Sequence, residues 1–350
     1  MKAKQHSDVA RPSPRGIGQT PKLCRITTRV WSRIQRRRDA LAIGSGRPWL
    51  IGFSHGVDST VLLTALAALR ATASLPPLVA VHIDHGLQPS SATTAQAARA
   101  AAARLDIACL VHSAAVAAPG GETAARAARL GAFARIARET QASAILLAHH
   151  RDDALETVLF RLMRGTGPLG LRAIPELRAL DRAQPDGPML FRPMLAIPKV
   201  AICSAARSAG LAFLEDPTNA DPDHTPRNRI RHEILPELRR RDPQDRALVA
   251  LVREAARLER ATERELAGLE PVVAGVGLVE LCVRELTALS PFARERHLEA
   301  ALRLLDVAVP PRSLLTRLAA LAEARVGKRV EARGRWHAIR ARNVVRILRG

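Results

Sequence analysis

Apolar and polar positions alternate in blocks along the first two thirds of the chain. Short apolar runs at residues 49–53 (WLIGF), 78–83 (LVAVHI), 107–112 (IACLVH) and 144–148 (AILLA) have the length and bounds of buried strands. Between them, helical patterns fall at about 58–72, 92–104, 122–140 and 152–164. Strands that alternate with helices predict an α/β fold, a parallel sheet with helices on both faces. Such folds bind ligands at the carboxyl ends of their strands. Three strand ends here carry polar clusters, at 54–59, 82–87 and 149–156. A Gly/Pro-rich connection follows residue 165, then a helix at about 198–209 and a polar segment at 215–231. Beyond 236 the spacing is helical, as in Leu248, Leu251, Val252, Ala255 and Leu258. The division expected is a basic, flexible extension over 1–45, a catalytic α/β domain over 46–235, and a smaller, mainly helical region over 236–350.

Charge adds a partner to this picture. Among 350 residues, 54 Lys and Arg against 33 Asp and Glu leave a net charge of +21, and only five of the basic residues are Lys. The excess sits at the ends: +9 over 1–45, +4 over 46–235 and +8 over 236–350. An imbalance of this size favours a polyanion, most simply a nucleic acid; a solvated Arg-rich surface is the plainer reading. Residues 28–42 (TRVWSRIQRRRDALA) divide the same way, between a solvated leader and a phosphate-contacting helix. The longest apolar runs, such as 61–69, are too short to span a bilayer, and the first residues lack a secretory apolar stretch. A cytoplasmic protein with no membrane partner is expected. Cys24, Cys109, Cys203 and Cys282 form no CxxC pair, so neither a disulfide framework nor a Cys-based zinc site is suggested.

The loop Ser54-His55-Gly56-Val57-Asp58-Ser59 joins a strand to a helix, so its N–H groups and the helix N-terminus favour an anion such as phosphate. Ser54 and Ser59 add hydroxyl donors. Asp58 beside a polyphosphate calls for a divalent cation between them. An ordinary Ser/Asp helix cap would also satisfy this loop. Asp84, in His82-Ile83-Asp84-His85-Gly86, ends the second strand, where a plain turn is the competing reading. In His149-His150-Arg151-Asp152-Asp153-Ala154-Leu155-Glu156, the spacing puts His149, Asp153 and Glu156 on one helix face. Two carboxylates and an imidazole there suit Mg²⁺, a cationic amine or proton transfer; the helix dipole alone accounts for Asp152 and Asp153. Arg227, Arg229 and Arg231 stand near acidic Glu215, Asp216 and Asp221, as phosphate ligands or as an internal ion-pair network.

The loop at 54–59 resembles the SGGxDS loop of the N-type ATP pyrophosphatases (PP-loop superfamily), with His55 in place of the first glycine. If that position needs a positive φ, the imidazole costs about 1 kcal/mol. Together SHGVDS, HIDHGL and HHRDDALET resemble the tRNA(Ile)-lysidine synthetase family. Collinear matches include Glu122, Ala125, Arg126, Arg129 and Phe133, then Arg164-Gly165-Thr166-Gly167, Arg192-Pro193-Met194-Leu195, Glu215-Asp216-Pro217-Thr218-Asn219 and Arg227-Asn228-Arg229-Ile230-Arg231-His232. Leu130 departs from the family's usual Tyr. The resemblance covers about 50–236.

It implies an ATP- and Mg²⁺-dependent ligase. The enzyme adenylates the wobble cytidine of a CAU-anticodon tRNA(Ile), then joins L-lysine to it, releasing pyrophosphate and AMP. It implies ATP binding by Ser54, His55, Gly56, Val57, Asp58, Ser59 and Asp84, with Asp58 organising Mg²⁺. It implies catalytic roles for Asp58, His149, Asp153, Glu156 and Arg229, with Asp153 and Glu156 holding the lysine ammonium, and phosphate or tRNA contacts for Arg126, Arg227 and Arg231. Two other readings stay open. One is a base-thiolating relative, which would normally carry paired cysteines. The other is a tRNA-binding protein of the same fold whose catalysis His55 has weakened.

Overall fold

The computed structural model describes residues 20–349 except 85–90, 114–120, 182–183, 185, 216–220, 222–224, 308–309 and 333–335. The chain divides into two compact units. The first runs to Thr166 and resumes over Ala173–Val249; the second combines Gly167–Arg172 with the chain from Ala250 onward.

In the first unit, β1 (Trp49–Gly52), β2 (Leu78–Asp84), β3 (Ala108–Ser113), β4 (Ala144–Leu146), β5 (Leu177–Ala179) and β6 (Met189–Phe191) form one sheet in the order β3-β2-β1-β4-β6-β5. All neighbours are parallel except the edge strand β5, which runs antiparallel to β6. Side chains of β1 alternate between two cores. Trp49 and Ile51 pack with residues of α1 (Pro21–Arg36), α2 (Val57–Arg70), α3 (Ser91–Ala103) and α6 (Lys199–Ser208). Leu50 faces Phe133, Ile136 and Ala137 of α4 (Gly121–Glu139). Helices therefore cover both faces, as the block pattern requires. The chain leaves β1 toward β2 and β3 and returns on its other side at β4, so the sheet's switch point lies between β1 and β4.

The expected flexible extension is corrected by α1. Thr20 caps it, Pro21 occupies its first turn, and Leu23, Ile26, Val30 and Ile34 form a buried stripe against α2 and α6. Its exposed face is basic, with Arg25, Arg29 and Arg36. The run of arginines hid the stripe, because each Arg falls between the i, i+3, i+4 positions that pack. The turn after α1 is also anchored: Leu41 is buried, and the fully buried indole of Trp49 donates to its carbonyl at 3.1 Å.

The unit closes with α5 (Arg151–Met163), α7 (Pro226–Arg229), a π-helical stretch Ile230–Ile234, and α8 (Leu235–Arg241). Ile230 and Leu235 are buried with Leu155 and Leu159, and Leu248 and Val249 pack on this cluster. The boundary consequently falls within α9 (Arg246–Glu265), past the expected 235. In the second unit, α10 (Val283–Ala288), α11 (Pro291–Leu304) and α12 (Arg312–Ala319) supply the expected helices. A five-stranded antiparallel sheet accompanies them: β7 (Val272–Gly275), β8 (Leu278–Cys282), β9 (Arg329–Ala332), β10 (Trp336–Arg340) and β11 (Val344–Arg349), in the order β7-β8-β11-β10-β9. In β11, Val345 and Ile347 are buried while Arg346 faces outward to Glu280, a short alternation that helical spacing before it obscured. No helix among the described residues is long and apolar enough to cross a membrane.

Candidate active site

Gly52 ends β1, and α2 begins five residues later, so the backbone between them must turn tightly. His55 makes the turn at φ 63°, in the left-handed region that glycine occupies without cost. Its ring is buried beside Phe53, with centroids 5.5 Å apart, and neither ring nitrogen finds a hydrogen-bond partner. Burial holds the imidazole below its ordinary pKa, the Ala212 main chain pulls against this, and the neighbouring His82 adds to the lowering. The Ser54 and Ser59 hydroxyls lie 3.2 Å apart, the Ser59 hydroxyl donates to the Gly56 carbonyl at 3.0 Å, and the Ser54 oxygen accepts from the Gly56 N–H. The loop and the first turn of α2 thus present N–H groups, two hydroxyls and the Asp58 carboxylate at the end of β1.

The same edge receives β4. His150 caps α5 in a reciprocal box: its Nδ1 accepts from the Asp153 N–H at 3.4 Å, and its own N–H donates to Asp153 Oδ2 at 2.8 Å. With Nδ1 accepting, Nε2 carries the hydrogen, and it lies 3.6 Å from Asp58 Oδ1. Lys199, the first residue of α6, places Nζ 2.8 and 2.7 Å from the two Asp58 oxygens. Asp152 faces away from this chain of contacts. It accepts from the Lys199 main-chain N–H at 3.0 Å and pairs with Arg239, which also binds the buried Asp245. Burial opposes the Asp152 charge, yet the Arg239 and Lys199 donors hold its carboxyl below the ordinary value.

Ser54, Gly56, Asp58, Ser59, His149 and Asp153 together line a cleft of about 860 Å³, which Arg129 and Glu215 also line. Asp84 stands at the end of β2, next to the cleft-lining Ile83. His85, Gly86 and 216–220 fall outside the described residues, as does the Arg126 side chain, and Arg129, one turn further along α4, is the arginine seen at the cleft.

Glu156 departs from expectation. It is fully buried, and Arg231 clamps both its oxygens at 2.7 and 3.0 Å while Arg227 approaches to 3.6 Å and bonds the Thr157 hydroxyl. It holds the two arginines and is not among the residues lining the cleft. Burial raises its carboxyl pKa, and the Arg231 bonds pull against that rise. Arg231 reaches toward Asp153, at 3.8 Å. Arg229 is exposed, pairs with Glu233 one turn on, and is not among the residues lining the cleft. Two residues that touch Asp58 were given no role in the sequence analysis: His150, through its ring, and Lys199. Lys199 carried a signal, as one of five lysines in an arginine-dominated chain, directly after a proline at a helix start.

The β1–α2 loop at the sheet's switch point is the segment whose sequence resembles the loop of the PP-loop domain family. That family's model matches residues 30–238, and the chain belongs to it. Within the family it is similar to tRNA(Ile)-lysidine synthases. It is 40% identical to that of Pseudomonas fluorescens (strain Pf0-1) over 233 residues, covering 66% of this chain and 49% of the relative. It is also 40% identical to that of Alkalilimnicola ehrlichii over 278 residues, covering 78% and 60%. The chain thus spans about half the length of the curated relatives it matches. Among solved structures, the U34-tRNA thiolase NcsA from Methanococcus maripaludis shares the fold, with a TM-score of 0.54 at 16% identity over 68% of this chain and 79% of that one.

Proposed function

We propose that this chain is the catalytic portion of a tRNA(Ile)-lysidine synthase. The observation that carries the reading is one shared cleft, lined by the loop and helix N-terminus at Ser54–Ser59 together with His149 and Asp153. The cradle residues Ser54, Gly56 and Ser59 bind the β- and γ-phosphates of ATP. The O2 of the wobble cytidine in a CAU-anticodon tRNA(Ile) attacks the α-phosphate, the bond from that phosphorus to the bridging oxygen breaks, and pyrophosphate leaves. The side-chain amine of L-lysine then attacks C2 of the adenylated cytidine and expels AMP. Asp153, on the cleft wall with Arg231 nearby, receives the lysine ammonium and takes its proton. His149 donates to the charge that develops at the base. Glu156 acts through Arg231 and Arg227.

Mg²⁺ fits this site through Asp58, a carboxylate oxygen donor on the cleft; with no cluster of three ligating side chains among the described residues, phosphate oxygens and water would complete its shell. Bound there, it would neutralise the leaving pyrophosphate. Exposed Arg253, Arg257, Arg260 and Arg264, spaced along one face of α9, suit the tRNA backbone. Substrates of this kind set the reaction in the cytoplasm.

The binding-only alternative loses its motive, since His55 adopts the left-handed backbone that glycine takes without cost and its ring is not among the residues lining the cleft. The test is incubation of the purified chain with ATP, Mg²⁺, labelled lysine and CAU-anticodon tRNA(Ile), with methionine tRNA as control. Lysine enters only the isoleucine tRNA, and Asp153→Ala abolishes it. Release of AMP and pyrophosphate without lysine incorporation would overturn the assignment of the amine, and no turnover at all would overturn the activity.

A further inference from the structure

We propose that Lys199 is the resident counter-cation of Asp58, and that a divalent cation arriving with the nucleotide takes over this carboxylate while the released ammonium moves onto the phosphates. The inference rests on the nucleotide reading above.

Its basis is the double contact. Nζ lies within 2.8 Å of one Asp58 oxygen and 2.7 Å of the other, so both oxygens open to a metal ion are already engaged by one ammonium. The pair is not locked in the core: the side chains of Lys199 and Asp58 are 36% and 29% exposed, so water can meet either charge while they separate. A polyphosphate next to a bare Asp58 would face like-charge repulsion, which a cation between them removes. An ammonium does this for the free cleft, but it is a single charge with three donors and cannot bridge carboxylate and phosphate oxygens as a divalent ion does.

The surroundings suit an exchange. The root of the lysine is fixed independently of its tip, because its main-chain N–H is held by Asp152 at 3.0 Å at the start of α6. The four-carbon stem can therefore swing without moving the helix. Asp58 is steadied too. Nε2 of His150 lies 3.6 Å from its Oδ1, and His150 is itself fixed by the box with Asp153. Lys199 is thereby a positioning residue in the free protein, its ammonium becoming a phosphate ligand in the loaded one.

Two titrations test this, using Lys199→Ala and Lys199→Met, which keep the Asp152 bond, with thermal melts to show that both fold. In the first, Mn²⁺ binding to the nucleotide-free protein is followed by loss of the free-ion EPR signal, with Asp58→Asn as the control for site occupancy. Removal of the competing ammonium is expected to tighten Mn²⁺ about five- to tenfold. In the second, a non-hydrolysable ATP analogue is titrated at saturating Mg²⁺, and the variants are expected to bind it about tenfold more weakly. Unchanged or weaker Mn²⁺ binding in both variants would make Lys199 a fixed structural partner and overturn the exchange. Unchanged analogue affinity would overturn the transfer to phosphate. A wild-type protein that binds Mn²⁺ but no analogue would overturn the nucleotide reading itself, leaving the Mn²⁺ competition to be judged by the first titration alone.

Discussion

The left-handed backbone at His55 makes a quantitative prediction that a single substitution would blur and a pair resolves. Replacing His55 by Ala removes the ring but keeps a Cβ at φ 63°; replacing it by Gly removes the Cβ as well. Both variants lose the contact with Phe53, and both relieve two ring nitrogens that lack partners, so these effects cancel between them. The remaining difference is the left-handed strain, about 1–2 kcal/mol, less the extra unfolded-state freedom of glycine, about 0.5–1 kcal/mol. His55→Gly should therefore be the more stable variant by about 1 kcal/mol, or roughly 2–4 °C for a unit of this size. Thermal unfolding followed by circular dichroism and by tryptophan emission measures it. If His55→Ala melts at or above His55→Gly, the loop does not hold a left-handed residue there and the family's glycine is absent for another reason. Because the ring is not among the residues lining the cleft, turnover should be nearly the same for His55→Gly and wild type; a large gain would mean that His55 restrains the reaction.

Three further outcomes are expected. Glu156→Ala strands two guanidiniums whose side chains remain about a third exposed, so the loss should be about 2–4 kcal/mol in urea unfolding, short of a fully buried pair; an unchanged midpoint would refute the clamp. Burial lowers the His55 pKa in the folded protein, while the unfolded chain takes up the proton below 6.5. Wild type should then lose stability as the pH falls from 6.5 toward the lowered value, and His55→Ala should lose less over the same window in paired melts. Deleting residues 1–45 removes Leu23, Ile26, Val30, Ile34 and Leu41 from the core. At roughly 1.5–3 kcal/mol each, this approaches or exceeds the whole stability of a domain, so that truncation should give no cooperative thermal transition.

The part of the fold carried by long, uninterrupted patterns was legible. Four apolar runs became the parallel strands β1–β4 to within two residues at either end, because buried parallel strands read as near-continuous apolar blocks. β5 and β6, three residues each, were too short to stand out, and β8–β11 interleave Arg and Glu with the apolar positions. α1 hid behind its own charge. At the site, Ser54, Gly56, Asp58, His149 and Asp153 fall on the cleft wall because adjacency in a strand-end motif survives folding. Lys199 lies 141 residues from Asp58 along the chain, and only the sheet's topology brings them together. Glu156 shows the opposite limit. Helical spacing placed it on the right face, but whether that face meets ligand or the arginines of the 227–231 segment depends on packing that periodicity does not encode.

The indole of Trp49, closed under the turn after α1 and bonded to Leu41, has a use unconnected with chemistry. The chain has three tryptophans and no tyrosine, so its near-ultraviolet emission comes from Trp31, Trp49 and Trp336 alone. The first two belong to the unit that carries the cleft and the third to the core of the other. With Trp336 replaced by Phe, the remaining signal reports only the unit that carries the cleft; with Trp31 and Trp49 replaced, only its neighbour. The two melting curves can be separated spectroscopically in the intact chain, with no dye or label.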